Sequence, residues 1–264
     1  TFWVLCSANY TKEKTKEMST KNKRKSSFLA NTGLIMFGLG ALIAVGIIAL
    51  IVWANLEVFG FYQSFDSEGT IRSLNCPVFM TNNEQATFSA KFHNPLDYEI
   101  RPTIRTVISQ GSIIFVDELR ETIAIAPNDT IKLSWQLDSS QTVFGQFVFA
   151  RVVLMNNFPL DDAQGACGVY VVSTDWFSGR TFLYIALAVI AVLMGGGVLL
   201  WKRFTPHGYR ATKNTRISLW MIGITIVVGL TAGIFHYWLI AGLSLIAGIL
   251  LLIATATMKM SQAT

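Results

Sequence analysis

The sequence predicts a membrane α plus all-β protein, with four transmembrane helices and an extracytoplasmic immunoglobulin-like β-sandwich inserted between helices 1 and 2. Three observations carry this. Four stretches, Thr32–Trp53, Thr181–Trp201, Ile217–Phe235 and Trp238–Thr257, contain no Asp, Glu, Lys or Arg, and each is long enough, at about 1.5 Å per residue, to cross a hydrocarbon core of roughly 30 Å. The residues between Glu57 and Gly179 are polar and alternate with period two. Lys and Arg cluster beside some spans and are missing beside others. The hydrophobic fraction of 52% and the charged fraction of 14% fit a chain largely solvated by lipid.

Residues 1–31 form a basic tail containing Lys12, Lys14, Lys16, Lys21, Lys23, Arg24 and Lys25. Met18, followed by Ser-Thr-Lys-Asn-Lys-Arg-Lys, would make an ordinary cytoplasmic start, so the preceding residues are read as a mobile tail. The basic run also fits an anionic-lipid or nucleic-acid patch, but retention of Lys and Arg on the cytoplasmic side explains it more simply. Helix 1 is placed at 32–56. It is longer than the apolar core of a signal peptide and is read as an anchor.

The extracytoplasmic domain is placed at 57–179, helix 2 at 180–201, a basic loop at 202–216 with a turn at Pro206-His207-Gly208, helices 3 and 4 at 217–235 and 238–257, and a short tail at 258–264. Lys202, Arg203, Arg210, Lys213, Arg216 and Lys259 fall on the same side as the N-terminal lysines if there are four crossings. The turn at His236 and Tyr237 has no Lys or Arg. Both termini are therefore expected in the cytoplasm and the 57–179 domain outside, in a multi-pass protein of the plasma membrane.

Within that domain Phe88, Ala90 and Phe92 alternate with polar neighbours, as do Ile131, Leu133, Trp135 and Leu137. Tyr98, Ile100, Ile104 and Ile108 are expected to share one face. Further runs at Ile71–Phe79, Ser112–Ile125, Phe144–Met155 and Gly168–Ser173 bring the total to about seven strands, the number of an antiparallel sandwich. The Cys and Trp spacing of antibody domains is absent, since Trp135 follows Cys76 far too late. Cys76 and Cys167, at the first and last strands on the oxidising side, are expected to form a disulfide, whereas Cys6 is a lone thiol. Asn128-Asp129-Thr130 is a glycosylation acceptor in an external turn.

Catalytic and ligand chemistry finds little support. His93 reads as a solvated residue, because a general base needs a partner. Asp161-Asp162 lacks the ordered spacing of a calcium loop. No zinc, nucleophile-elbow or phosphate-loop pattern occurs, and the spans hold no ionisable group of the kind that marks ion paths. No enzyme activity, cofactor, metal, nucleic acid or small-molecule ligand is expected.

Small residues four apart instead suggest close helix packing: Gly40 and Ala44, Ala191 and Gly195, Gly229 and Gly233, Ser244 and Gly248. They serve contacts inside the bundle or with another chain. Trp53, Trp176, Trp201, Trp220 and Trp238 stand at span ends as an interfacial belt. The expected partners are membrane lipid and other membrane protein subunits. The favoured function is a non-catalytic accessory or scaffolding subunit of a larger assembly; the alternative is a surface receptor or adhesion protein whose sandwich loops, near Gly111, Asn128, Phe158-Pro159 and Asp161, bind a ligand. In layout, four spans with a β-rich first outer loop, the chain resembles the claudins. Their first-loop Trp-Gly-Leu-Trp and paired-cysteine signature is missing and this loop is longer, so the likeness implies shared topology and no junction-forming role.

Overall fold

A computed structural model describes residues 2–62, 69–71, 73–155, 161–205 and 211–261. The expected turn at Pro206-His207-Gly208 and the Phe158-Pro159 loop lie outside them. Four long helices are present, α1 (Phe2–Tyr62), α2 (Gly179–Phe204), α3 (Ala211–Ile234) and α4 (Trp238–Ser261), with a sheet-rich domain between α1 and α2. The segments Phe28–Tyr62, Gly179–Phe204, Thr215–Ile234 and Trp238–Thr255 are long and apolar enough to cross a membrane. The chain divides into two compact units: Thr1–Gly46 with Leu187–Val228 and Ser244–Thr264, and Ile47–Ala186 with Gly229–Leu243.

The first unit is helical, and its contacts follow side-chain size. On α1, Gly33, Phe37, Gly40, Ala41 and Ala44 are buried along one stripe with three- and four-residue steps, the period of a helix face. Gly33 meets Gly197 of α2 backbone to backbone. A Cβ built on Gly33 would lie 2.7 Å from the Gly197 oxygen, and one on Gly197 would lie 2.6 Å from the Gly33 oxygen. Gly40 lies against Leu193 and Met194, with built-Cβ distances of 2.9 and 2.8 Å. Ala191 and Gly195, singled out by their spacing, are exposed, and nothing lies within 4 Å of a Cβ on Gly195. The α1–α2 seam runs through Gly197 because residues 195, 196 and 197 point about 100° apart on a helix, and spacing alone does not say which faces inward. Gly248 is buried near Val45 and Thr225, and Ser244 is half-buried. The Gly197→Leu variant is expected to lose the α1–α2 contact; cysteine cross-linking between positions 36 and 196, strong in the parent, should weaken at least several-fold, and unchanged cross-linking would refute the close crossing.

In the second unit, the strands are β1 (Gly69–Thr70), β2 (Phe79–Thr81), β3 (Ala86–His93), β4 (Thr103–Gln110), β5 (Ser112–Thr122), β6 (Thr130–Leu137), β7 (Phe147–Met155) and β8 (Ala163–Val172). One sheet has the order β1-β8-β7-β4-β5, with β2 also on β8; β1 and β2 pair parallel to β8 and the other pairs are antiparallel. The second sheet is β3-β6, antiparallel, with Phe88 opposite Trp135. The alternation seen in sequence puts Phe88, Ala90, Phe92, Trp135 and Leu137 of the small sheet into one core with Ile104, Ile108, Val148, Ala150, Val152, Val169 and Val171 of the large one. Phe88 and Trp135 stack at 5.1 Å.

Two strand expectations change. The Ile71–Phe79 run is no continuous strand: it passes from β1 across to an isolated bridge between Asn75 and Ser89 of β3, then returns to the large sheet as β2. Tyr98 is 53% exposed and does not share the face of Ile100 and Ile104, because it lies in the bend at 96–98, ahead of the bridge that Ile100 makes to Ile125. Cys76 and Cys167 are bonded, closing a separation of 91 residues and fastening the crossing segment to β8.

Candidate functional site: the platform formed by the helix ends and the large sheet

β7 explains how the domain is seated. Its residues from Phe147 to Val152 are buried without alternation. Both faces of the strand are therefore covered. Val148, Ala150 and Val152 enter the core between the sheets, and Phe147 and Phe149 turn the other way, into a cluster with Val107, Val143 and Ala54, Val58 and Tyr62 of α1. Helix α1 continues past Glu57, and its stripe at positions 54, 58 and 62 lies on the large sheet. Trp53 Nε1 donates to Glu57 Oε1 at 2.8 Å, which ties the acidic residue to the helix itself one turn earlier. Gly168 of β8 makes the close approach: a Cβ there would sit 2.1 Å from the Ala54 oxygen. Arg151, 4% exposed, places its guanidinium over the Tyr62 ring at 5.3 Å and donates to Gln164. On the same sheet face, Glu118 accepts from Arg105 and Arg120, and these hydrogen bonds hold its carboxyl below the usual range.

The start of α2 is held by a carboxylate. Glu84, in the turn between β2 and β3, accepts from the Gly179 backbone N–H at 2.6 Å, from the Thr81 N–H at 3.2 Å and from the Thr81 hydroxyl at 3.4 Å. An anion at a helix N-terminus meets unpaired N–H groups and the positive end of the dipole. Gly179 is needed because a Cβ there would come within 2.2 Å of the Phe79 oxygen. Ser178 adds a cap, accepting from Thr181 N at 3.2 Å, and Phe79 meets Phe182 edge-on at 5.3 Å.

The α3–α4 turn makes the third attachment. His236, at φ 61, puts Nε2 3.1 Å from the carbonyl oxygen and 3.4 Å from the nitrogen of Cys76. Gly233 is buried, with Ile51 of α1 3.3 Å from a built Cβ, and Gly229 is buried one turn earlier. Phe59 and Trp238 meet at 5.6 Å. Burial pushes the His236 imidazole below its usual value, and its bond to the Cys76 carbonyl opposes this only in part. A depressed value means the fold disfavours the imidazolium. The resulting stability is complete above the unfolded value near 6.5 and is lost as pH falls through the folded value. Thermal unfolding of the parent should therefore occur at lower temperature at pH 5 than at pH 7, with a smaller difference in His236→Asn, since Asn tolerates positive φ. Equal pH slopes would refute the role of this group.

The remaining candidates lie at the other end of the domain. His93 is exposed, with Nδ1 3.1 Å from the Asp129 oxygen and 3.0 Å from the Thr130 hydroxyl. Asn128 is exposed in a turn at φ 55. Asn94, fully buried, sends its Nδ2 to the oxygens of Tyr98, Ile125 and Ala126 at 2.8, 3.0 and 3.1 Å, and so locks these turns together. A cavity of about 330 Å³ opens nearby, with an apolar floor of Ile71, Ile100, Ile125 and Leu154 and with Lys91 and His93 in its lining. Among the described residues, no three His, Cys, Asp or Glu side chains come together in a metal-binding group.

Fold and site together define a class: a chain with four helices long and apolar enough to span a membrane, carrying a two-sheet domain seated on the ends of those helices. No protein-family model matches it, and no curated protein matches its sequence. Solved structures resemble it in part. A CARDB domain from Pyrococcus furiosus, in complex with di-metal ions, is 14% identical over 38% of this chain and 90% of its own, with a TM-score of 0.30. A cycloisomaltooligosaccharide glucanotransferase from Paenibacillus sp. is 16% identical over 42% of this chain at a TM-score of 0.33, and red sea bream transglutaminase is 8% identical over 45% at 0.32. This chain covers only 15% and 18% of those two proteins.

Proposed function

We propose that the chain is a non-catalytic integral membrane protein, an accessory or scaffolding subunit whose helices and β domain make protein contacts within a larger membrane assembly. The observation that carries this is the threefold seating of the domain on α1, the start of α2 and the α3–α4 turn, through Gly168, Glu84 and His236. Such a mounting supports rigid presentation of a surface. The exposed Ala191 and Gly195 of α2 offer a second chain a close backbone approach. By length and composition the helices are read as spans, and the distribution of Lys and Arg orients them with both termini cytoplasmic and the β domain outside, at the plasma membrane.

The immunoglobulin-like reading rests on strand order. With β3 and β6 as strands B and E, and β5-β4-β7-β8 as C′-C-F-G, the first strand splits between a bridge to B and a parallel pairing with G. The disulfide joins the first strand to the last instead of B to F.

The test is the mass of the protein extracted from its native membrane in mild detergent. Co-purifying chains in fixed ratio support the subunit reading, and a lone monomer overturns it. The cavity beside Lys91 and His93 favours a second reading, a surface receptor. Saturable ligand binding by the whole protein, lost in Lys91→Glu, would decide for it.

A further inference from the structure

Six large apolar side chains of the β domain are well exposed among the described residues, and four of them lie at the end next to the helices: Val116, Phe144, Trp176 and Phe177. Phe144 is 58% exposed and Trp176 is 89% exposed. The opposite end of the domain instead turns through Asn94, Asp97, Asn128, Asp129, Asp161 and Asp162. The asymmetry is sharp at Phe144. It occupies a turn at φ 53, followed by Gly145 at φ 68, a conformation in which a bulky residue is strained and glycine or asparagine would sit more easily. The turn is firmly based: Val143 is fully buried, its N–H donates to the Phe147 oxygen at 2.6 Å, and Phe147 N donates back to the Val143 oxygen at 3.0 Å. An aromatic ring is thus held outward on a rigid turn.

What lies beside it identifies the occupant. Phe147 contacts Trp53 of α1 at 5.6 Å, and Trp53, 49% exposed, stands one turn before Glu57, the first charged residue after the first span. Tyr170 contacts Phe147 at 5.6 Å and Phe79 at 6.1 Å, and Phe79 packs on Phe182 in the first turn of α2. The turn therefore stands at the level where both helices pass from apolar to polar sequence, the depth at which amphipathic rings favour the lipid headgroup region.

We propose that the β domain is itself a lipid-contacting module: the Phe144-Gly145 turn, flanked by Val116, Trp176 and Phe177, rests in the headgroup region of the bilayer and fixes the domain against the membrane surface. Exposed Trp53, packed on Phe147 at the base of this turn, argues for lipid over protein. The proposal rests on the reading of the helices as spans.

The experiment uses the full chain in the Cys6→Ser background, reconstituted into phosphatidylcholine vesicles, with an environment-sensitive fluorophore on Phe144→Cys and, separately, on Trp176→Cys, Val189→Cys and Lys132→Cys. Nitroxide lipids carry the quencher at the headgroup or deep in the acyl chain. Val189, exposed on α2, should be quenched by the deep probe, and Lys132, on β6, by neither. Phe144 and Trp176 should be quenched more strongly by the headgroup probe than by the deep one, as expected of groups held at the headgroup/acyl boundary. If Val189 is not quenched, the spanning reading falls. If Val189 is quenched while Phe144 and Trp176 match Lys132, or emit as buried labels without quenching, the lipid contact is overturned and, in the latter case, a protein covers the patch.

Discussion

Gly168→Ala is expected to lower the unfolding temperature of the detergent-solubilised protein markedly, with a loss of about 3 kcal/mol or more. The added methyl group would lie 2.1 Å from the Ala54 oxygen and 2.5 Å from its carbonyl carbon. Both are backbone atoms and no rotamer change relieves the overlap. Either α1 lifts from the sheet, which uncovers Phe147, Phe149, Val58 and Tyr62, or β8 moves and disturbs its pairing with β7. Overpacking of this kind costs about 1–3 kcal/mol where side chains yield and more where only the backbone moves. Gly60→Ala provides the contrast. It lies in the same part of α1 with nothing within 4 Å of the added carbon, and alanine in a helix gains about 0.5–1 kcal/mol over glycine. If Gly168→Ala melts with the parent while Gly60→Ala does not rise above it, the seating of α1 on the sheet is wrong.

This pair also shows what the sequence could and could not disclose. The four long apolar helices are legible because uncharged runs of that length declare themselves. Most strands are legible too, because one face is buried and the other is not: Phe88, Ala90 and Phe92 could not alternate so cleanly otherwise. The end of α1 was missed for a definite reason. Glu57 looks like the first residue of a polar domain, yet it binds back to Trp53 and the helix continues beneath it. The signal was present in Ala54, Val58 and Tyr62, spaced by four, the stripe of a helix with one face still to bury. Similarly, Gly168 inside an apolar strand marks a close backbone approach, but which backbone approaches is a tertiary fact. His236 gave no sign at all, since a short turn without charge says nothing of the strand segment it meets.

The bond between Cys76 and Cys167 is expected to have the second large effect, since it acts where local structure is poorest. The segment from Ile71 to Val78 crosses between sheets with one isolated bridge, at Asn75, and the Ser73 hydroxyl, bonded to Lys91 N and O at 3.1 and 2.6 Å, stands in for missing ladder bonds. The sulfur link and His236 add to these few bonds in holding its middle in place. Closing a separation of 91 residues is worth on the order of 4 kcal/mol on the chain-entropy account. The double variant Cys76→Ser, Cys167→Ser should therefore unfold at much lower denaturant concentration than the parent. Because the Cys76 backbone also carries the His236 contact, amide exchange in the variant should accelerate around residues 71–78 and in the α3–α4 turn together, while the β3–β6 pair, whose hydrogen bonds do not involve either cysteine, should remain protected. Exchange confined to the crossing segment would mean that His236 is held by the helices alone. An unchanged midpoint would mean that the two sheets position this segment without the covalent link.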